Sequence, residues 1–295
     1  MIKSDNSIKK LSLIYIISLF PLILFGFYKD GISLYMKNYV SLFGMFKPLI
    51  IILLGFIIGS LVNIIYEKYI KKSKDSLINI VFSNLYPIYG ILIGGICSIR
   101  TNILLFSIIT FIILFISKFI KNIKLNIIAL TSLIIFFIMN ISDKFSFLNI
   151  YEASNKFNMN ALDYMLGKGS GGIITTNILL LIISFIILYN SKIYKRVIPI
   201  YASIVFSVLT IIYCFINKDI GNMMNMLFTN NILFNFVYIS TDPISSSYTK
   251  IGSSIYGILV GILTFIFYLI NPALSSLGGI LILSIFNSLI DLKFE

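Results

Sequence analysis

An acid, a proline and a run of hydroxyls, Ser240-Thr-Asp-Pro-Ile-Ser-Ser-Ser-Tyr-Thr249, interrupt the apolar carboxyl-terminal part of this chain. Asp242 brings a carboxyl group, and Thr241, Ser245, Ser246 and Ser247 bring hydroxyls. Together they can satisfy a broken backbone or hold a polar guest. The structural alternative is that Thr-Asp-Pro simply caps the element that follows. A second stretch, Asn84-Leu-Tyr-Pro-Ile-Tyr-Gly90, carries amides and a proline inside another apolar run, with Asn79 and Ser83 close by in sequence. Amides at membrane depth must face protein or a cavity, which makes Asn84 a candidate. Arg100 either snorkels to the interface or holds an anionic group.

What the chain lacks narrows the chemistry. It has no histidine, so the commonest haem and metal ligand and the usual proton shuttle are missing. The two cysteines, Cys97 and Cys214, sit in apolar runs without the spacing of a redox or metal motif. No metal site and no catalytic side chain is therefore assigned. Of the acids, only Glu67 and Asp242 lie near apolar segments, so no carboxylate relay through a bilayer is visible.

These residues must be positioned by helices in lipid. The chain is 295 residues long, 58% hydrophobic and 12% charged, with a mean hydropathy of +1.00. That excludes a soluble domain and gives length for about ten spans. Apolar periodicity and length place helices at residues 11–28, 46–66, 77–98, 102–119, 125–141, 171–189, 197–216, 222–240, 252–270 and 272–290. The expected fold is all-α: a polytopic membrane protein of about ten helices in two inverted five-helix repeats, with a broken helix in each. Residues 1–141 form the first half, 142–170 an extracytoplasmic loop and 171–295 the second half. The basis for the pairing is positional: proline-broken spans in corresponding places point to a midplane site. Two unrelated kinks are the plainer explanation. Pro243 and its effect on the preceding residue should end the eighth helix at or before Asp242.

The net charge of +12 is explained by topology. With the amino terminus inside, most of the 23 basic residues fall in inner segments, including Lys9, Lys71, Lys118, Lys124 and Lys195. Both termini are thus expected in the cytoplasm of a plasma-membrane protein, with attraction to anionic lipid and no nucleic-acid partner. The amino-terminal run reads as a retained first helix, since no small-residue cleavage site follows Pro21. Tyrosine, present 18 times, takes over the interfacial role of the missing tryptophan.

Several stretches carry a resemblance in order along nearly the whole chain. Tyr15-Ile-Ile-Ser-Leu-Phe-Pro-Leu-Ile-Leu-Phe-Gly-Phe-Tyr28 comes first, then Ala161-Leu-Asp-Tyr-Met-Leu-Gly167 with Gly171. Ser240-Thr-Asp-Pro-Ile-Ser-Ser246, the glycines 252, 257 and 261, and Phe286-Asn-Ser-Leu-Ile-Asp291 follow. Together they resemble the RnfD membrane subunit of the Rnf electron-transport complex and, more distantly, the related NqrB subunit of the sodium-pumping NADH:quinone reductase. The resemblance implies a membrane subunit of an ion-translocating ferredoxin:NAD+ oxidoreductase that works with the other subunits of an Rnf-type complex. It also implies FMN linked through a phosphoester to a hydroxyl of the outer loop, which here falls on Ser154, with riboflavin as the other flavin to consider. Glu152 and Asn155 stand where the family's attachment motif has glycine and proline, and Thr175 stands where it has glutamate. Arg100, Asn84, Asp242 and the hydroxyls at Thr241, Ser245 and Ser246 are the further candidates for contacting a flavin. A small-solute transporter or channel on the same scaffold, and a subunit that only braces a complex, are the alternatives.

Overall fold

The computed structural model describes residues 5–120, 124–141, 160–191 and 193–293. Every regular element among them is helical, so the all-α expectation holds. In lipid a spanning segment must satisfy its own backbone, and helices do so. Helix α1 (Asp5–Phe27) runs through a π-turn, Tyr28–Ile32, into Ser33–Met36. Helix α2 (Leu42–Ile64) is likewise prolonged by a π-turn, Ile65–Ile70. The third expected span is broken into α3 (Leu77–Val81) and α4 (Tyr86–Ile96), followed by α5 (Ile103–Ser117) and α6 (Ile127–Ile141). After the short α7 (Ala161–Met165) come α8 (Ile178–Tyr189) and α9 (Val197–Ile216). The eighth expected span is also broken, into α10 (Ile220–Phe228) and α11 (Ile232–Phe234), the latter continued by a π-turn, Asn235–Ile239. Helices α12 (Lys250–Ile270) and α13 (Ser275–Lys293) complete the chain.

Five helical segments among the described residues are long and apolar enough to cross a membrane: Ile8–Met36, Leu42–Ile70, Val197–Ile216, Lys250–Ile270 and Pro272–Asp291. The shorter apolar helices, Tyr86–Ile96 among them, complete a polytopic, membrane-embedded protein. Three expected spans need correction. Residues 171–177 are not helical, so α8 starts at Ile178. The interruption of the third span lies at residues 82–85, ahead of Pro87, which occupies the first turn of α4 where its missing N–H costs nothing. The interruption of the eighth lies at Thr229–Asn231, where Asn230 and Asn231 take left-handed φ values of 58° and 65°. Asparagine tolerates that conformation far better than the β-branched residues around it.

Glycines set how closely the helices approach. A Cβ at Gly55 of α2 would strike the Gly90 carbonyl of α4, and one at Gly90 would strike that of Gly55. Gly59 faces Tyr86 and Pro87 in the same way, so α2 and α4 meet backbone to backbone. In the second half, Gly257 and Gly261 of α12 face Ile198 and Ala202 of α9. Both pairs follow the small-xxx-small rule by which helices associate in lipid, where close packing has to replace the hydrophobic effect.

Candidate functional site

Helices α4 and α11 run in opposite senses, and each ends where the other begins. At one end of the molecule, Tyr89 in the first turn of α4 donates its phenol proton to Asp242 Oδ1 at 2.5 Å. Asp242 lies just past the π-turn that closes α11, and the helix stops at Ile239 as the proline predicts. At the opposite end, Asn231, which precedes α11, donates to the carbonyl of Ile96 at the end of α4, 3.4 Å away. The two interruptions therefore face each other across the interior.

Asp242 is buried, and its second oxygen accepts from Ser245 N–H at 3.0 Å and Ser245 Oγ at 2.6 Å. The Asp242 carbonyl accepts from Ser246 Oγ at 2.5 Å. Thr241 Oγ1 turns back to the Val237 carbonyl at 2.7 Å, satisfying an acceptor that the end of the helix leaves free. Asn126, at the start of α6, donates to both the Ile239 carbonyl and Ser245 Oγ at 2.9 Å. Asn287 of α13 donates to the Ser245 carbonyl at 2.9 Å. Two buried oxygens at this nest have no hydrogen-bond partner: Asn287 Oδ1, and Tyr256 Oη, which lies within range of the Asp242 charge. An orphaned buried oxygen is costly and marks a place for a water or a cation. The void between the half-helices, lined by Tyr15, Tyr89, Tyr238 and Asp242 among others, gives about 10 Å³ to the centre of a water-sized sphere. That admits about one water.

Lysines strap the loop that carries these hydroxyls. Lys195 Nζ, on the turn between α8 and α9, donates to Ser246 Oγ at 2.8 Å and to its carbonyl at 2.9 Å. Burial pushes the Lys195 ammonium down to about 8, against the pull of Asp242 and Asp291. Asp291 accepts from Ser247 Oγ at 2.5 Å and from Tyr248 N–H at 3.2 Å, and pairs with Lys124 at 3.1 Å. Lys9, which donates to Asn79 at 2.7 Å, belongs to the same expected inner side.

The far end is sealed without a net charge. Residues 171–177 lie against the end of α4, Ile173 N–H donating to the Cys97 carbonyl at 3.0 Å and Ile174 N–H to that of Gly95 at 3.1 Å. Asn231 Oδ1 accepts from Gly172 N–H at 2.6 Å and from Thr175 Oγ1 at 2.5 Å. Lys29 donates to Thr176 at 3.1 Å and pairs with Asp30 at 3.4 Å.

The candidate residues thus separate. Thr241, Asp242, Ser245 and Ser246 form one cluster. Asn84 lies half-buried in the turn before α4, its amide on Ser83 Oγ at 3.3 Å, beside the cluster and outside it. Arg100 is exposed in the turn after α4, at the opposite end of that helix from Tyr89. Ser154 lies outside the described residues. Sequence reasoning missed Tyr89, Asn126, Lys195, Asn287 and Asp291. The available signal was polar residues at the ends of apolar runs, which by itself does not say which ends meet.

The model of the NQR2, RnfD, RnfE family matches residues 1–295, the whole chain. One Na(+)-translocating NADH-quinone reductase subunit, from Chlamydia pneumoniae, is 40% identical over 67 residues, 22% of this chain and 13% of that one. The corresponding subunit from Pseudomonas paraeruginosa (strain DSM 24068 / PA7) is 27% identical over 141 residues, 44% of this chain and 34% of that one. The chain thus spans about a third or less of the curated relatives it matches. With the whole chain under the family model, and with paired half-helices and the Thr-Asp-Pro-Ile-Ser loop at its centre, this protein belongs to the NQR2, RnfD, RnfE family.

Proposed function

We propose that the chain is a membrane subunit of a redox-driven, ion-translocating oxidoreductase complex, and that the nest around Asp242 handles the coupling ion. Family membership supplies the class, and the relatives matched by name are subunits of a sodium-translocating NADH-quinone reductase. The observation that carries the reading is the Tyr89–Asp242 hydrogen bond, which puts a buried carboxyl where the ends of two opposed half-helices meet. The ends of half-helices present fixed partial charges and unwound backbone oxygens, the equipment of transporter ion sites. Asp242 and the backbone oxygens around it are the groups suited to hold a sodium ion or a hydrated proton, with the orphaned oxygens of Asn287 and Tyr256 near the nest but outside the lining of the void.

The partners in this reading are the remaining subunits of an Rnf-type or NADH-quinone-reductase-type complex, with both termini in the cytoplasm of a plasma-membrane protein. The site is sealed at both ends, so translocation requires α4 and α11 to part in turn toward each side. The five-plus-five inverted arrangement is part of the same proposal. It follows the order of elements, each half having a broken third span between pairs of continuous helices.

The nest does not fit a flavin. Its hydroxyls bond inward, and about 10 Å³ is far short of an isoalloxazine ring. FMN, as the resemblance implies it, belongs in this reading to Ser154 on the outer segment. The same lack of space weighs against a transporter of flavin-sized solutes. Electron-transfer-driven uptake of sodium or protons by the reconstituted complex tests the ion reading. Asp242→Asn should abolish uptake while the complex still assembles, and unchanged uptake in that variant would overturn the reading.

A further inference from the structure

A groove on the bilayer side of the inner end plays no part in the nest. Its walls are Ile113 and Ile116 of α5, Ile120 just beyond it, and Ile127 and Leu130 of α6, enclosing about 340 Å³. Ile116 and Ile120 are 52% and 46% exposed, which on this molecule means open to acyl chains. The polar end of the groove consists of Tyr86 Oη and Ser117 Oγ, 2.9 Å apart, with Lys124 at the rim.

Charge at this corner does not balance. Lys71 pairs with Glu67 at 3.0 Å, and Lys124 pairs with Asp291 at 3.1 Å. Among the described residues Lys118 is left over, within electrostatic range of Glu67 but with no ion pair of its own. Its Nζ lies 4.1 Å from the centre of the Tyr86 ring and 5.2 Å from that of Tyr66, buried and with no hydrogen-bond acceptor. Ring faces attract the ammonium without neutralising it. In a poorly screened setting its field reaches the polar end of the groove through the ring that forms the wall.

We propose that this groove binds an anionic phospholipid, with an acyl chain between α5 and α6 and the phosphate at Tyr86 Oη, Ser117 Oγ and Lys124 Nζ. A neutral lipid fills the walls equally well, so discrimination rests on the surplus cation. Basic pockets between helices on the cytoplasmic face recognise such headgroups by the same chemistry. The site is separate from the ion nest and stands whether or not the redox reading holds.

The test uses the full chain in nanodiscs of equal phosphatidylglycerol and phosphatidylcholine, delipidated stepwise, with retained lipid identified by native mass spectrometry. Wild type should retain phosphatidylglycerol in preference. Lys118→Gln, which leaves both ion pairs intact, should reduce that preference about fivefold, the weight of one lysine near the surface. Ile116→Trp fills the groove without changing charge and should release the lipid while preserving the size-exclusion profile. Equal retention of the two lipids by wild type would overturn the proposal. So would an unchanged preference in folded Lys118→Gln, or recovery of only a neutral amphiphile from the groove.

Discussion

At Asp242 the geometry separates charge from shape. Its Oδ2 takes two donors from Ser245 and its Oδ1 takes one, a phenol, from Tyr89. In Asp242→Asn the amide oxygen can keep both Ser245 bonds while the NH2 turns to Tyr89 Oη, which can accept as well as donate. The variant should fold and lose only the charge, so a normal melting temperature beside absent ion uptake is the expected pair of results. Tyr89→Phe does the reverse, keeping the carboxyl and removing one donor. It should cost about 1–3 kcal/mol in unfolding free energy, the range for a buried hydrogen bond to a group that can carry charge, measured in detergent by chemical denaturation. Lys195 supplies a pH signature. Its folded value of about 8 lies below the ordinary lysine value, so between the two the unfolded chain binds more protons. Stability should therefore rise as the pH climbs from about 8 toward 10. Lys118, which burial likewise pushes down to about 8, adds to the rise, so in Lys195→Met it should shrink to the share of Lys118; a rise unchanged in the variant would assign it to another group.

The elements stand or fall on backbone contact. Because Gly55 and Gly90 each face the other's carbonyl, Gly55→Ala forces α2 and α4 apart. It should destabilise the protein by about 1–3 kcal/mol, the usual cost of overpacking, visible as a lower melting temperature in detergent. Gly221, in α10 with open space around it, is the control, and its alanine variant should melt at or slightly above wild type because alanine favours the helix. The same physics explains what the sequence could disclose at this scale. Long apolar runs announced α1, α2, α9, α12 and α13, because lipid leaves no cheaper solution than a helix. Pro243 announced the end of α11 at Ile239. The break before α4 was placed too late because Pro87 drew attention to itself, whereas it begins a helix there. The break at Asn230 and Asn231 carried no proline and escaped, although two adjacent asparagines were a fair sign of left-handed backbone. Residues 171–177 read as helix because their apolar isoleucines look alike in either state. What holds them in a non-helical turn is a set of carbonyls at the end of α4, distant in sequence. The cluster at Thr241, Asp242, Ser245 and Ser246 was legible because it is local. Asn126, Asn287 and Lys195 were not, because only the tertiary fold brings them to it.

For the molecule as a whole, sidedness decides what the nest can do. Lys195, Lys124 and Asp291 strap the Asp242 loop at one end, and Lys29 with Asp30 and Thr176 closes the other. By the positive-inside rule the lysine-strapped end is expected in the cytoplasm, so the charged side of the seal should face the compartment where the inner loops gather. Cysteine labelling reads this directly, because Cys97 and Cys214 are both buried and should give little background. Lys250→Cys, exposed at the start of α12 beside the strapped loop, should react with a membrane-impermeant maleimide only in inverted vesicles. Lys37→Cys, exposed between α1 and α2, should react only in right-side-out cells. The reverse pattern would turn the molecule over and put the Asp242 loop nearest the outside. The strap would then guard release of the ion instead of its entry. Labelling of both positions from one side would mean an even number of crossings between residues 37 and 250 instead of the expected odd number, and would undo the arrangement of opposed half-helices on which the proposed ion site depends.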